Sequence, residues 1–381
     1  MRNQGARLHI GQGSFVHCPG NIEIKDQHSS FAKFELEGEL ILKGNFLNQT
    51  LSKTQLEVGS SSGCLRMSAE GKTQTLGGVN EIYLQHLILD NPMGLRLEKD
   101  VHVFGKLRLQ EGKIYTGIQK LILHDPEVDA ISGFGESRYV VGNMRRYISR
   151  GQTHFPIGSQ TDLQLLSLDF EVEPALLFID ASFDGQAAQL IEDIEVDNGR
   201  INSLLDNGTW TLYSPQMPMQ AFQLSLTSRA HSNANQITGS YSLLIDKGFG
   251  WELVGELDRA ASQGAGQGPI RSSRSNIMSW GKFSIGQANY ALAIPQTLPF
   301  EQILLSNNGS PQREVSLSFF SNKASTYRIE IRDLKGSLLK EMKANASAGQ
   351  NLKKINLQDF PQAVYVLTLE REGLFFQEKI W

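Results

Sequence analysis

The chain has 381 residues, among them 36 glycines, 12 prolines and two cysteines, and its formal net charge at pH 7 is −4. This charge is too close to neutral for a nucleic-acid-binding surface, and no stripe of basic residues runs along the chain. No apolar stretch approaches the roughly 20 residues that a membrane-spanning helix needs. Glycine is the informative count, because it occurs singly or in pairs, which is typical of many short strands joined by turns.

The first third of the chain repeats one theme, a short alternating stretch that ends at a glycine or an asparagine. Residues 34–38 (FELEG), 39–44 (ELILKG) and 101–105 (VHVFG) show this theme. Apolar residues at every second position predict strands, since successive side chains of a strand point to opposite faces. Stretches this short, with corners between them, predict a β-solenoid-like repeat region (a parallel β-helix) over residues 1–130. A β-sandwich or meander is the alternative.

The remainder of the chain also reads as strands, so the predicted fold class is all-β. Longer, regularly spaced strands predict an antiparallel β-sandwich over residues 131–290. Within it, residues 187–194 are the best helix candidate. Residues 291–300 contain two prolines and no charge, which predicts a linker. Residues 301–381 predict an immunoglobulin-like β-sandwich of about seven short strands without its disulfide.

Motifs in this last part of the chain carry a resemblance to a known family. Residues 327–336 (YRIEIRDLKG) and 338–341 (LLKE) are similar to its strand, D-x-x-G turn and strand. Residues 350–357 (QNLKKINL) and 360–367 (FPQAVYVL) are similar to its L…L-x-x-G-x-Y-x-L segment, and residues 378–380 (EKI) to its closing K-I/V. In this order the motifs resemble the type A sorting domain of the type IX secretion system of Bacteroidota.

Upstream stretches resemble cell-surface proteins that carry such a domain. They include residues 74–78 (QTLGG), 84–91 (LQHLILDN), 103–114 (VFGKLRLQEGKI), 139–146 (YVVGNMRR) and 280–286 (WGKFSIG). The resemblance therefore extends, in order, over most of the chain.

The resemblance implies that the C-terminal domain directs export by the type IX translocon. The mature part is then attached to surface lipopolysaccharide by sortase-like machinery, after cleavage near residues 294–305. The protein is expected outside the cell or on the outer-membrane surface. Residues 1–10 contain no signal peptide, so either the protein is cytosolic or its targeting segment is missing. The residues implied to form the sorting signal are Asp333, Leu334, Gly336, Val364, Tyr365, Val366 and Lys379.

No motif predicts a catalytic residue, a cofactor or a metal site. Residues 59–63 (GSSSG) match the nucleophile pattern G-x-S-x-G, but a strand follows where that motif needs a helix, which favours a serine-rich turn. Residues 193–199 alternate carboxylates as a calcium loop does. Asn198 stands at position six, where that loop needs glycine, and Leu204 at position twelve, where it needs glutamate, which favours a solvated acidic loop. Glu171 and Glu173 lie on one side of a strand, where exposed acidic pairs are common.

Cysteine and histidine give no short-spaced cluster. Cys18 and Cys64 cannot form a disulfide framework and are predicted to be buried small residues, although one bridge between them is an alternative. The eight histidines are dispersed, with His86, His102 and His124 in different predicted turns. A solenoid can stack such distant residues into a row, so sequence distance does not exclude a site.

The sequence thus predicts a secreted, non-catalytic, adhesin-like surface protein. One alternative is a polysaccharide-processing enzyme on a β-helix, with Asp, Glu, Lys or Arg in register on one face. Another is a glycan-binding module with exposed aromatic residues, for example Tyr115, Tyr147 or Phe249. The expected partners are the secretion and attachment machinery together with surface glycans or lipopolysaccharide, and no nucleic acid.

Overall fold

The computed structural model describes most of the chain. The described residues are 1–27, 30–51, 56–57, 62–175, 177–196, 199–237, 240–288, 304–307, 314–321, 325–333, 336–347, 349–361, 363–371 and 374–380. The fold is all-β, as predicted, with 59% strand and 1% helix. No helix among the described residues is long and apolar enough to cross a membrane. The chain divides into two compact units, Met1–Leu292 and Ala293–Trp381.

The first unit begins with a β-solenoid of about six turns, which confirms the prediction for this region. Each complete turn carries three strands, and each strand pairs in parallel with its counterpart in a neighbouring turn. The strands are β1 (Arg2–Gln4), β2 (Arg7–Ile10), β3 (Phe15–Cys18), β4 (Ile22–Lys25), β5 (Lys33–Leu36), β6 (Glu39–Leu42), β7 (Phe46–Gln49), β8 (Leu56–Glu57), β9 (Cys64–Met67), β10 (Gln74–Gly78), β11 (Ile82–Leu84), β12 (His86–Asp90), β13 (Leu95–Leu97), β14 (Val101–Val103), β15 (Leu107–Glu111), β16 (Ile114–Leu123) and β17 (Ile131–Ser132).

The three strands of a turn define three faces. Face A follows β1, β4, β7, β10, β13 and the first half of β16, and face B follows β2, β5, β8, β11, β14 and the second half of β16. Face C is the sheet β3-β6-β9-β12-β15-β17. On face C, Leu40, Leu65, Leu87 and Leu107 form one register row, and all four are buried. Each buried leucine stabilises the stack by about 1.5–3 kcal/mol relative to an exposed one.

The strands that follow continue the same stack. β18 (Val140–Tyr147) pairs in parallel with both halves of β16, and the next strands along the chain add antiparallel pairs. One hydrophobic core runs from Ile10 to Ile285, so the boundary predicted at residue 130 lies inside one compact unit. The remaining strands are β19 (Gly151–Gly158), β20 (Leu163–Phe170), β21 (Phe178–Asp184), β22 (Ile194–Val196), β23 (Gly199–Ile201), β24 (Ser203–Leu204), β25 (Thr209–Tyr213), β26 (Phe222–Ser228), β27 (Tyr241–Asp246), β28 (Trp251–Leu253), β29 (Glu256–Gln263), β30 (Ile270–Ile277) and β31 (Gly281–Gln287).

The helix predicted over residues 187–194 is wrong. The chain is irregular there until β22 begins at Ile194, and the helical segment of the described residues is instead a 3₁₀ turn, Val128–Ala130. Ala188 and Leu190 pack against a small cluster that includes Leu204 and Leu244. Contacts at every second residue suit an extended chain and not a helix.

The second unit consists of two antiparallel sheets. One has the order β32-β33-β36 and the other β35-β34-β37-β38, and side chains from both form one core. The predicted linker at residues 291–300 lies outside the described residues. The strands are β32 (Leu304–Asn307), β33 (Glu314–Ser321), β34 (Ser325–Asp333), β35 (Leu338–Ala346), β36 (Gly349–Asn356), β37 (Tyr365–Arg371) and β38 (Leu374–Ile380).

Candidate functional site

The predicted sorting residues converge at one end of the four-stranded sheet. Asp333, the last residue of β34, lies opposite Tyr365, the first residue of β37. In the neighbouring register row, Val366 lies between Arg332 and Lys379. Residues from three separate stretches of the chain thus meet in two adjacent rows.

The turn between β34 and β35 explains the aspartate and the glycine of the motif. The Asp333 carbonyl accepts the Gly336 N–H at 3.0 Å, and Asp333 Oδ1 accepts the Ser337 N–H at 2.8 Å. Gly336 has a φ of +85°, which favours glycine over every other residue. Both residues therefore hold the turn together. Leu334, between them, lies outside the described residues.

Tyr365 supports the fold and does not offer a surface. Its side chain is buried, its hydroxyl donates to the Pro361 carbonyl at 2.5 Å, and its ring lies 5.8 Å from that of Phe360. The preceding Val364 is 37% exposed. Of these two neighbouring signal residues, Val364 is therefore the one that a partner can touch.

A stack of aromatic and histidine rings covers part of face B and continues onto β18 and β21. Phe104 and His124 lie 4.2 Å apart at 11°, and His124 and Tyr147 lie 4.6 Å apart. The spacing arises because consecutive turns place equivalent residues one above the other. The members of this ring stack are Tyr83, His102, Phe104, His124, Tyr147 and Phe178.

The two histidines of the ring stack are hydrogen-bonded to each other. His102 Nδ1 lies 2.9 Å from His124 Nε2, and His102 Nε2 lies 3.5 Å from a Glu81 carboxylate oxygen. Burial, with the neighbouring His102 and the positive charge of Arg145, lowers the pKa of His124 to about 4. Burial also lowers the pKa of His102, although Glu81 opposes this. Both rings are therefore neutral at pH 7, and the hydrogen bond needs one N–H donor and one free nitrogen.

Acidification is expected to destabilise the first unit between pH 6.5 and about 4. In this range the unfolded chain protonates His124 while the folded chain does not, so the free energy of unfolding falls as pH falls. Urea unfolding at stepped pH measures the slope. His124→Phe keeps a ring in the stack and should flatten the slope. Phe104→Leu should lower stability at every pH and keep the slope, and equal slopes in wild type and His124→Phe would refute the assignment.

Charged residues beside the ring stack neutralise one another. Arg145 donates two hydrogen bonds to the Asp180 carboxylate, at 2.6 and 2.8 Å, and Lys120 Nζ donates a third at 2.7 Å. Burial alone would raise the pKa of Asp180, but these bonds hold it below its ordinary value. The guanidinium also lies 3.8 Å from the centre of the Phe178 ring. Charges in register on one face, which the enzyme alternative needs, are thus present but mutually paired.

An open cavity of about 670 Å³ lies at face A, where β13, β16, β18 and β19 run side by side. Its polar lining comes from Arg96, Asp184 and the loop of residues 159–161, and its aromatic lining from Tyr115 and Phe183. The combination of rings with a few polar groups is typical of ligand-binding cavities.

The other candidates give no site within the part of the chain that the structure describes. Cys18 and Cys64 are free thiols, so the alternative of a bridge is wrong, and burial together with Glu39 raises the pKa of Cys64 to about 11. Glu171 and Glu173 are both exposed. Among the described residues, no three His, Cys, Asp or Glu side chains lie close enough together to hold a metal ion. Most of residues 59–63 and part of 193–199 lie outside the described residues.

Some residues of the ring stack and of the cavity lining are among those predicted from the sequence, and others are not. Tyr147 is in the ring stack, Tyr115 lines the cavity, and Phe249 lies fully exposed between β27 and β28. The histidines of the ring stack are dispersed in the sequence, which indicates only that a solenoid could stack them into a row. The signal that could have found them is their spacing, since His102 and His124 are 22 residues apart, close to one turn of this solenoid.

Comparison with known families identifies the C-terminal part. Residues 312–381 match the family described as the secretion system C-terminal sorting domain. The chain carries a type IX secretion sorting domain. This domain implies a protein of Bacteroidota that interacts with the type IX machinery and is exported to the cell surface or beyond, as predicted. No curated protein and no solved structure matches the chain.

Proposed function

We propose that this protein is a non-catalytic, adhesin-like surface protein whose sorting domain delivers the unit Met1–Leu292 to the cell surface. The observation that carries the proposal is the sorting domain itself, joined to a solenoid that bears a ring stack and an open cavity. Concave, partly aromatic surfaces on a rigid scaffold suit ligand binding.

The non-catalytic role is supported by the pairing of charges. A glycosidase needs one carboxylic acid and one carboxylate free to act on the sugar. Asp180 is instead occupied by Arg145 and Lys120. The enzyme alternative keeps one favourable observation, because Arg145 and Asp180 do lie in register on neighbouring strands.

Two finer features belong to the same proposal. The sorting domain is proposed to be an immunoglobulin-like sandwich, since the bond from the Tyr365 hydroxyl to the Pro361 carbonyl is the arrangement of a tyrosine corner. Residues 131–290 are proposed to form a sandwich that continues the solenoid stack and shares its hydrophobic core. Cleavage near residues 294–305, most of which lie outside the described residues, would then precede attachment to lipopolysaccharide.

Binding without turnover is the expected behaviour of the full chain. The protein is applied to a glycan array, and each bound polysaccharide is then incubated with it and assayed for reducing ends. Binding with no release of reducing ends supports the proposal. Release that is lost in Asp180→Asn, but kept in the control Asp169→Asn on β20, would favour the enzyme. Absence of binding to every glycan would argue against the adhesin-like role.

A further inference from the structure

The floor of the face A cavity includes one register row of four strands and two glycines. The register row Arg96, Tyr115, Val141 and Gly158 crosses it, from β13 to β19. A Cβ at Gly158 would lie 2.2 Å from the Asp162 carbonyl oxygen, and one at Gly142 would lie 2.1 Å from Thr116 Oγ1. Glycine is therefore favoured at both positions, because a side chain at either would collide with its neighbours.

Two aromatic rings line this floor, and their surroundings fix them in place. Phe183 packs edge-on against Trp210 at 5.0 Å, and Trp210 is buried with its Nε1 donating to the Gln164 carbonyl. The Tyr115 ring fits against Gly94, where a Cβ would come within 2.9 Å of it. Rigid rings lose little entropy on binding, and the negative face of a ring attracts the C–H groups of a sugar.

The cavity lining carries one basic and one acidic side chain, and the guanidinium of Arg96 can bind an anionic group of a ligand. Arg96 is exposed, and no described residue forms a hydrogen bond or an ion pair with its side chain. This contrasts with Arg2, Arg7 and Arg66, which all pair with glutamates. Asp184 is held in a local turn, where Oδ1 accepts the Gln186 N–H at 3.0 Å.

The loop of residues 159–161 adds neutral polar groups to the lining, and Lys113, which is not part of the lining, bonds to this loop. Lys113 Nζ donates to the Gln160 carbonyl at 2.6 Å, which places an ammonium group at the loop. The hydroxyls of Ser159 and Thr161 lie 3.2 Å apart in that loop, beside the cavity. Hydroxyl and amide groups at a cavity wall can exchange hydrogen bonds with sugar hydroxyls.

We infer that this cavity binds an acidic oligosaccharide, with the carboxylate of a uronic acid residue against Arg96 and a pyranose ring against Tyr115. A guanidinium binds a carboxylate through two parallel hydrogen bonds, which gives both strength and orientation. The inference rests on the proposed adhesin-like function and names the ligand class for it. A volume of about 670 Å³ is within the usual range for ligand sites.

The test is calorimetric titration of the full chain with short oligogalacturonates, with cello-oligosaccharides of equal length as neutral probes. Oligogalacturonate should bind more tightly than the neutral probe. Arg96→Gln, at an exposed position, should weaken oligogalacturonate binding about tenfold. Arg108→Gln, at another exposed arginine on β15 of the same turn but outside the cavity, should leave binding unchanged. Tyr115→Leu should weaken binding of both probes.

The outcomes separate this inference from the proposed function. If the protein binds glycans on an array but Arg96→Gln and Tyr115→Leu bind oligogalacturonate as the wild type does, the cavity assignment is overturned and the adhesin-like role stands. Failure of oligogalacturonate to bind, or equal affinity for the neutral probe, also overturns the acidic ligand. Absence of binding to any glycan overturns both.

Discussion

Removal of residues 312–381 is expected to abolish export of this protein, and fusion of the domain to another protein is expected to direct that protein's export. These residues carry the matched sorting domain, and they include most of both sheets of the second unit, so the deletion removes the folded signal and not only a peptide tag. A reporter with its own signal peptide is fused to residues 290–381 and expressed in a host with a type IX system. The fusion should reach the cell surface or the medium, while the reporter alone should stay in the periplasm.

Point variants can separate recognition from folding in this assay. Lys379 lies on β38, the outer strand of its sheet, and outer strands present backbone groups that a partner can pair with. Lys379→Ala is expected to reduce export, whereas Lys353→Ala, on β36 of the other sheet, should not. A fusion with residues 290–381 that remains in the periplasm would contradict the sorting assignment. Equal loss with both lysine variants would show that neither position is specific.

The parts of the fold that the sequence predicts well depend on local rules. Alternating apolar residues ended by glycine or asparagine specify a short strand and a corner, so residues 34–44 alone suffice to suggest a solenoid turn. The D-x-x-G turn is equally local, because Asp333 and Gly336 bond to each other across it. In both cases the residues that make the structure are neighbours in the chain.

The candidate surfaces depend on register between turns, which local rules do not give. His102 and His124 meet only because β14 pairs with β16 in one alignment, and a shift by one residue would turn them away from each other. Arg96 and Tyr115 line the cavity for the same reason. The burial of Tyr365 likewise depends on tertiary packing, because the same alternating pattern would suit an exposed ring.

Corner glycines make this stacking possible, and Gly44→Ala is expected to lower the free energy of unfolding of the first unit by about 3 kcal/mol. A Cβ at Gly44 would lie 2.3 Å from the carbonyl carbon and oxygen of Gly20 in the preceding turn, and 2.4 Å from the Asn21 nitrogen. All three are backbone atoms, so the turns must move apart to make room. That movement would weaken the bond between the Ile22 N–H and the Asn45 carbonyl, which is 2.8 Å long.

Gly20→Ala is the matched control, because it sits at the same corner one turn earlier and is also followed by an asparagine. A Cβ at Gly20 meets nothing within 4 Å, and neither glycine has a positive φ that would strain another residue. Urea unfolding should therefore shift its midpoint strongly for Gly44→Ala and hardly at all for Gly20→Ala. Equal shifts would mean that backbone flexibility, and not the close approach of successive turns, explains why glycine occupies these corners.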